Sequence, residues 1–118
     1  MLFGKKKKIA NYLKEKDSDL SIFDLLLNEY LSGMLVLNLK KIGLDKIGIH
    51  IDWLDNMKTL GIQAKYKEFY LDIQIDEQEL AIGCSKDEPD CDEFFAINGE
   101  TNTELFYKKI QQRIEHEK

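Results

Sequence analysis

Residues 60–82 hold the most regular pattern in the chain, an alternation of apolar and polar side chains. Successive side chains of a β-strand point to opposite faces, so this pattern predicts strands with one buried and one exposed face. The polar residues form an outer face that is open to water or to a partner. The apolar positions are Leu60, Ile62, Ala64, Tyr66, Phe69, Leu71, Ile73, Ile75, Leu80 and Ile82.

Short polar segments divide this region and its surroundings into hairpins. They lie at residues 55–59, 67–68 and 76–78, and such turns between alternating segments are typical of an antiparallel meander. The predicted strands cover residues 47–53, 60–66, 69–75 and 79–84, with an edge strand at 94–97.

Helical spacing marks the N-terminal part of the chain. Residues 5–16 set Ile9, Tyr12 and Leu13 among lysines, which predicts a short, weakly amphipathic helix or a frayed arm. Ser18 or Ser21 can cap a second helix, which we expect to end near a glycine at position 33. This helix is apolar around most of its circumference, so we expect it to lie deep in the core.

Residues 34–39 fit either a continuation of that helix or a strand. Leu35, Leu37 and Leu39 alternate with Val36 and Asn38, and this alternation favours a strand, although the length of the segment does not decide between them.

The last part of the chain predicts a helix. Thr101 and Glu104 match a capping box, and Phe106, Ile110 and Ile114 repeat along one side of the following turns. The sequence thus predicts a single α+β domain over residues 1–118, with residues 1–16 as its first helix or as a basic arm. Its meander of five to six antiparallel strands is covered on one face by N-terminal and C-terminal helices.

Charge is distributed unevenly along the chain. Residues 1–16 carry six lysines and one glutamate, whereas residues 17–118 carry a net charge of −10. A body this acidic repels nucleic acid and anionic lipid, which favours a basic protein, a cation or a cationic ligand as the partner and no nucleic acid. No apolar run is long enough to span a bilayer and no signal-peptide pattern opens the chain, so we expect a cytoplasmic location.

An acidic loop, residues 85–93, follows the strand predicted at 79–84. Its carboxylates lack the order and the distal glutamate of a calcium-binding loop, and the chain lacks a zinc-binding pattern. We therefore predict no metal and no cofactor, and interpret the loop as either a solvated connection or a docking surface for a basic partner. Its acidic residues are Asp87, Glu88, Asp90, Asp92 and Glu93.

Two cysteines, Cys84 and Cys91, flank the middle of this loop. A reducing compartment favours free thiols over a disulfide. The neighbouring carboxylates should raise the pKa of both thiols and make them poor nucleophiles.

An acid-base site is the enzymatic alternative. His50 and Asp52 lie two residues apart on one strand and share the outer face, where Tyr70 and Asp72 also lie. His50 would act as a general base oriented by Asp52 or Asp72, provided that a concave pocket surrounds it.

Our leading hypothesis is a small, non-enzymatic protein–protein interaction module, such as an adaptor, an inhibitor or an immunity-like protein. It would bind a basic partner through the acidic loop and the outer face, although the same face can also form a homodimer. A ligand carrier is a third possibility, which requires an unfilled cavity beneath Ile49, Ile62 and Ile73. The outer face consists of His50, Asp52, Gln63, Lys65, Tyr70, Asp72 and Gln74.

Overall fold

The computed structural model of the protein describes residues 2–16, 20–97 and 102–118, except for the side chains of residues 2 and 3. Helices lie at both ends of these ranges and an antiparallel sheet lies between them, so the predicted α+β class is confirmed. The elements are α1 (Leu2–Lys16), α2 (Ile22–Ser32), α3 (Met34–Lys41), β1 (Asp45–Leu54), β2 (Met57–Tyr66), β3 (Phe69–Ile75), β4 (Glu79–Ser85), β5 (Glu93–Ala96) and α4 (Glu104–Glu117).

The sheet is a five-stranded meander in which β1 to β5 are neighbours in chain order. Its register aligns the predicted apolar positions across the strands, with Ile62 opposite Ile73 and Ile73 opposite Ile82. All three are buried, so the alternation in the sequence corresponds to one face of the sheet.

The first turn of the meander is shorter than predicted, because β1 extends to Leu54 and β2 already begins at Met57. Lys58, which the sequence places in a turn, lies in β2 opposite Trp53, and its ammonium group lies 5.4 Å from the centre of the indole ring. Lys58 thus pairs with Trp53 in the ladder and packs its ammonium group against an aromatic face.

Helices cover the inner face of the sheet. Phe23 of α2 and Phe106 of α4 are fully buried, and Ile9 fixes α1 to the same core. Lys5 also donates a hydrogen bond of 2.7 Å to the carbonyl oxygen of Ile51 in the edge strand β1. Residues 5–16 therefore form a packed helix and not a frayed arm.

The prediction of a strand at residues 34–39 is wrong, because Met34–Lys41 forms the helix α3. Gly33 ends α2 with a φ of 84°, and the chain bends by 100° between the two helices. In this helix Leu35 and Leu39 lie one turn apart and are buried, whereas Leu37 points outward and is 52% exposed. A strand would have buried all three leucines together.

Helix capping agrees with the sequence at α2. Ser21 accepts a hydrogen bond from the backbone N–H of Asp24, and the Asp24 carboxylate accepts one from the N–H of Ser21. The alternative cap Ser18 and the predicted capping residue Thr101 lie outside the described residues.

A partly buried polar cluster connects α1 with α2 and with the turn between β3 and β4. The hydroxyl of Tyr12 lies 2.7 Å from Asp24 and 2.6 Å from Glu77, and Lys16 faces both carboxylates. Burial and these two acceptors raise the pKa of Tyr12, so the phenol keeps its proton and ties the three segments together.

No single helix among the described residues is long and apolar enough to cross a membrane. Helices α2 and α3 meet that criterion only when they are counted together, across their bend.

Candidate functional site

The predicted outer-face residues lie on the side of the sheet opposite the helices. His50, Asp52, Gln63 and Gln74 are exposed, and Tyr70 retains 42% of its accessible surface. Lys65 and Asp72 are half-buried. The strands therefore display the polar surface that the alternation predicts.

The expectation that this face is uncovered is wrong in part, because the acidic loop folds back across β3 and β4 at Asp72 and Gly83. Gly83 of β4 makes this approach possible, since a β-carbon there would collide with the backbone of Asp90 and lie 2.8 Å from the nitrogen of Cys91. The thiol of Cys91 also donates to the carbonyl oxygen of Asp72 over 3.4 Å. The loop is thus part of the outer face.

Asp72 lies beneath this crossing. One of its carboxylate oxygens, Oδ1, is buried and has no hydrogen-bond partner, and the carboxylate forms no ion pair with any residue that the structure describes. A partly desolvated anion without a cation is unfavourable, because the interior replaces neither its water nor its counter-charge.

Two grooves lie on the outer face, one on each side of the loop, and Asp72 lines both. The first, with a volume of about 310 Å³, is named the Phe94 groove after its most exposed apolar side chain. The second, with a volume of about 270 Å³, is named the Tyr70 groove. The Phe94 groove is lined by Thr59, Asp72, Gln74, Ile75, Asp76, Glu79, Ala81, Asp90, Cys91 and Phe94, and the Tyr70 groove by Gln63, Ala64, Tyr70, Leu71, Asp72, Asp87, Glu88 and Pro89.

The C-terminal end of the acidic loop is attached to α4. Arg113 is only 7% exposed. Its guanidinium forms ion pairs with Asp92 at 2.7 Å, with Glu93 at 2.8 Å and with Glu117 at 2.9 Å. The hydrogen bond from Arg113 lowers the pKa of Asp92. Two of the five predicted docking carboxylates are therefore already paired with a cation within the protein.

The other three carboxylates of the loop, on Asp87, Glu88 and Asp90, are exposed and form no ion pair within the described ranges 2–16, 20–97 and 102–118. They stand at the rims of the two grooves. This part of the loop remains available to an external cation.

The acid-base hypothesis gains no support from the geometry. His50 is exposed and its imidazole lies against Gly61, and neither groove is lined by His50 or Asp52. Strand β2 lies between β1 and β3, so His50 and Asp72 are separated by two strand spacings, roughly 10 Å.

Both cysteines are free thiols, as expected. Burial, more than the neighbouring carboxylates, raises the pKa of Cys84 and of Cys91 to about 11. The carboxylates of Asp72 and Asp92 add to the effect at Cys91. The thiolate, which is the reactive form, is thus scarce at neutral pH.

We expect both thiols to react slowly with Ellman's reagent at pH 8 and faster as the pH approaches 11. The raised pKa also means that their contribution to stability is complete below the unfolded pKa, near 9, and is lost as the pH rises towards 11. Stopped-flow absorbance measures the rate of thiol reaction as a function of pH, with urea-unfolded protein as the fully accessible reference. Equal rates for folded and unfolded protein at pH 8 would contradict it.

Neither a metal site nor a carrier cavity is evident in the part of the chain that the structure describes. No group of three or more His, Cys, Asp or Glu side chains there is placed to hold a metal ion. The apolar gap between the sheet and α4, beside Phe95 and Phe106, has no room for a water molecule. Ile62 and Ile73, beneath which a carrier would need space, are fully buried.

No protein-family model, curated protein or solved structure matches this chain. Its function is therefore inferred from the residues of the outer face.

Three residues of this site were missed by the sequence interpretation. Arg113 follows Ile110 on the apolar side of α4, and a lone arginine in such a stripe is a recognisable signal for a buried ion pair. Gly83 inside a strand signals close backbone approach. Phe94 gave no signal, because edge strands commonly expose single apolar residues.

Proposed function

We propose that the protein is a non-enzymatic interaction module that binds a basic protein partner through the acidic loop and the outer face. The observation that carries this proposal is the position of the loop across the sheet. It brings the unpaired carboxylates of Asp87, Glu88 and Asp90 beside two grooves and next to the partly desolvated Asp72. A cation from a partner would neutralise charges that the chain leaves uncompensated.

A heterologous partner is favoured over a second copy of the chain. In a two-fold symmetric dimer whose axis passes through the acidic loop, the loop would meet its own copy, and its three free carboxylates would face three others. Like charges at an interface oppose association, whereas a basic partner is attracted to them and binds faster at low salt. This arrangement suits an inhibitor, adaptor or immunity-like protein.

A selection from a random-peptide phage library tests the proposal with a defined probe. We expect the wild-type protein to enrich peptides rich in Arg and Lys, whose binding weakens as salt concentration rises. The variant Asp87→Lys/Glu88→Lys/Asp90→Lys should lose about tenfold or more in affinity for the selected peptides, since several attractive charge pairs become repulsive. Fluorescence anisotropy with the synthetic peptides gives the affinities.

A matched variant, Glu15→Lys/Asp55→Lys/Glu115→Lys, carries the same net charge but reverses exposed residues away from the outer face. It should keep close to wild-type affinity. If both variants lose affinity equally, binding depends on net charge and not on the loop. Circular dichroism confirms that each variant is folded. The proposal would be contradicted if the selection enriched no peptide, or only peptides without basic residues.

A further inference from the structure

We propose that the Phe94 groove receives an arginine side chain of the partner, with Asp72 and Asp90 as its counter-ions and Phe94 as its stacking surface. This inference rests on the proposed function and names the group that the surface recognises. It begins from Asp72, whose buried Oδ1 has no hydrogen-bond partner in the described part of the chain.

Two neighbouring strands and the acidic loop surround Asp72. It lies in β3 directly opposite Gln63 on one side and Gly83 on the other, and the loop that crosses Gly83 buries its Oδ1. Asp72 also lines the Phe94 groove, so its carboxylate borders the space that the arginine would occupy. A cation placed there interacts with an anion that is already partly desolvated, which strengthens the attraction.

Phe94 supplies the apolar side of the same groove. It is 58% exposed, and it lies opposite Ala81, which in turn lies opposite Gln74, so small and polar side chains form the floor beside an open ring. The ring face of phenylalanine attracts cations. A guanidinium lying against Phe94 would therefore keep its charge directed towards the carboxylates.

The Tyr70 groove is the weaker candidate because the protein already supplies a cation there. The ammonium group of Lys65 lies 5.2 Å from the centre of the Tyr70 ring. In the described part of the chain no lysine or arginine stacks on Phe94, although Lys109 stacks at 4.6 Å on its neighbour Phe95. The Phe94 groove is thus the one whose aromatic and acidic groups lack a cation.

Arginine fits this groove better than lysine for geometric reasons. Its planar guanidinium can stack on a ring while donating several hydrogen bonds in its own plane, whereas an ammonium group is a compact point charge. The protein uses the same chemistry on the opposite side of the loop, where Asp92 and Glu93 bind the guanidinium of Arg113. The proposed arginine would complete a second such contact at Asp90 and Asp72.

Titration with N-acetyl-arginine amide, followed by ¹H–¹⁵N correlation spectra, tests the assignment directly. We expect saturable shifts of the backbone amides of Ala81, Asp90 and Phe94, and much smaller shifts with N-acetyl-citrulline amide, which has a similar shape but no charge. Asp72→Asn should weaken the binding by about tenfold or more, as for the loss of a charged hydrogen-bonding partner. Asp55→Asn removes an equal charge from an exposed turn and should have no effect.

Stability separates recognition from a structural role for Asp72. Because the carboxylate is partly desolvated and unpaired, Asp72→Asn should leave the urea midpoint unchanged or raise it. A lower midpoint would identify Asp72 as a structural residue and overturn the assignment. Equal shifts with arginine and citrulline, or undiminished binding to Asp72→Asn, would overturn it as well.

The two proposals fail in different ways. If the selected basic peptides lose affinity for the loop variant but not for Asp72→Asn or Phe94→Leu, the surface binds basic proteins without the Phe94 groove. If the arginine probe binds at the groove and the library yields no basic peptide, the groove is an arginine-binding site, but the proposal of an interaction module for basic proteins is contradicted.

Discussion

Replacing Gly83 with alanine should displace the acidic loop from the sheet and lower the free energy of unfolding by about 2–3 kcal/mol. The added β-carbon would collide with the carbonyl of Asp90 and lie 2.8 Å from the backbone nitrogen of Cys91. Backbone atoms cannot turn aside as the end of a flexible side chain can. Either β4 or the loop must move, and the loop has fewer hydrogen bonds to lose.

Urea unfolding measures the stability change, and the reactivity of Cys91 reports the position of the loop. Burial holds the pKa of the Cys91 thiol at about 11, so a displaced loop should increase its rate of reaction with Ellman's reagent. The rate of backbone hydrogen exchange in residues 86–92 should increase together with the reactivity of Cys91.

Gly48→Ala is the matched control on the same face of the sheet. The nearest atom to a β-carbon at Gly48 is the carbonyl oxygen of Gln63 at 4.0 Å, an ordinary contact distance. We expect this variant to change the free energy of unfolding by less than about 0.5 kcal/mol. Equal stability of the two variants, with Cys91 still protected in Gly83→Ala, would show that the loop does not lie against β4.

The sheet could be predicted because its signal is local. Alternation at positions such as Ile62 and Ile73 requires a strand whatever packs on it, since each side chain points away from the next. The same reasoning failed at Leu35, Leu37 and Leu39, where three leucines at alternate positions fit a strand and two of them fit one side of a helix. In the helix that follows the sharp bend at Gly33, Leu35 and Leu39 lie one turn apart and are buried, whereas Leu37 is exposed.

The candidate site was predicted in part. The outer face of the sheet was identified correctly, since it follows from the period of the strands. The path of the acidic loop was not, because a contact between Gly83 and Asp90 depends on how the loop folds back and leaves no periodic trace in the sequence. Because the loop covers this part of the face, Asp72 is half-buried, whereas Asp52 on the same face is exposed.

The division of the acidic loop into two parts likewise depends on a distant residue. Nothing near Asp92 and Glu93 in the sequence distinguishes them from Asp87 and Asp90. Their partner Arg113 lies about twenty residues later, on a helix that packs against β4, and the pairing forms only when that helix docks. Sequence alone therefore overestimated the number of carboxylates available for binding.

Arg113→Met should lower the free energy of unfolding by about 2–3 kcal/mol. Methionine fills much of the same space, so the loss comes mainly from the ion pairs and from the hydrogen bonds to the carbonyl oxygens of Ile82 and Cys84. The value stays below that of a fully buried pair because Asp92 and Glu93 are 66% and 44% exposed, so water can solvate them once Arg113 is gone.

The pH dependence of stability identifies the ion pair as the cause. Arg113 lowers the pKa of Asp92 in the folded state, so this carboxylate stabilises the fold above its unfolded pKa, near 4, and the stabilisation is lost as the pH falls through the lower folded value. Urea midpoints of the wild type should therefore fall more steeply below pH 4 than those of Arg113→Met. Glu115→Gln, which removes an exposed partner of Lys118 on the same helix, should leave the wild-type profile nearly unchanged. Parallel profiles for Arg113→Met and the wild type would mean that Arg113 acts by packing alone, and that Asp92 and Glu93 are as free to bind a partner as Asp87, Glu88 and Asp90.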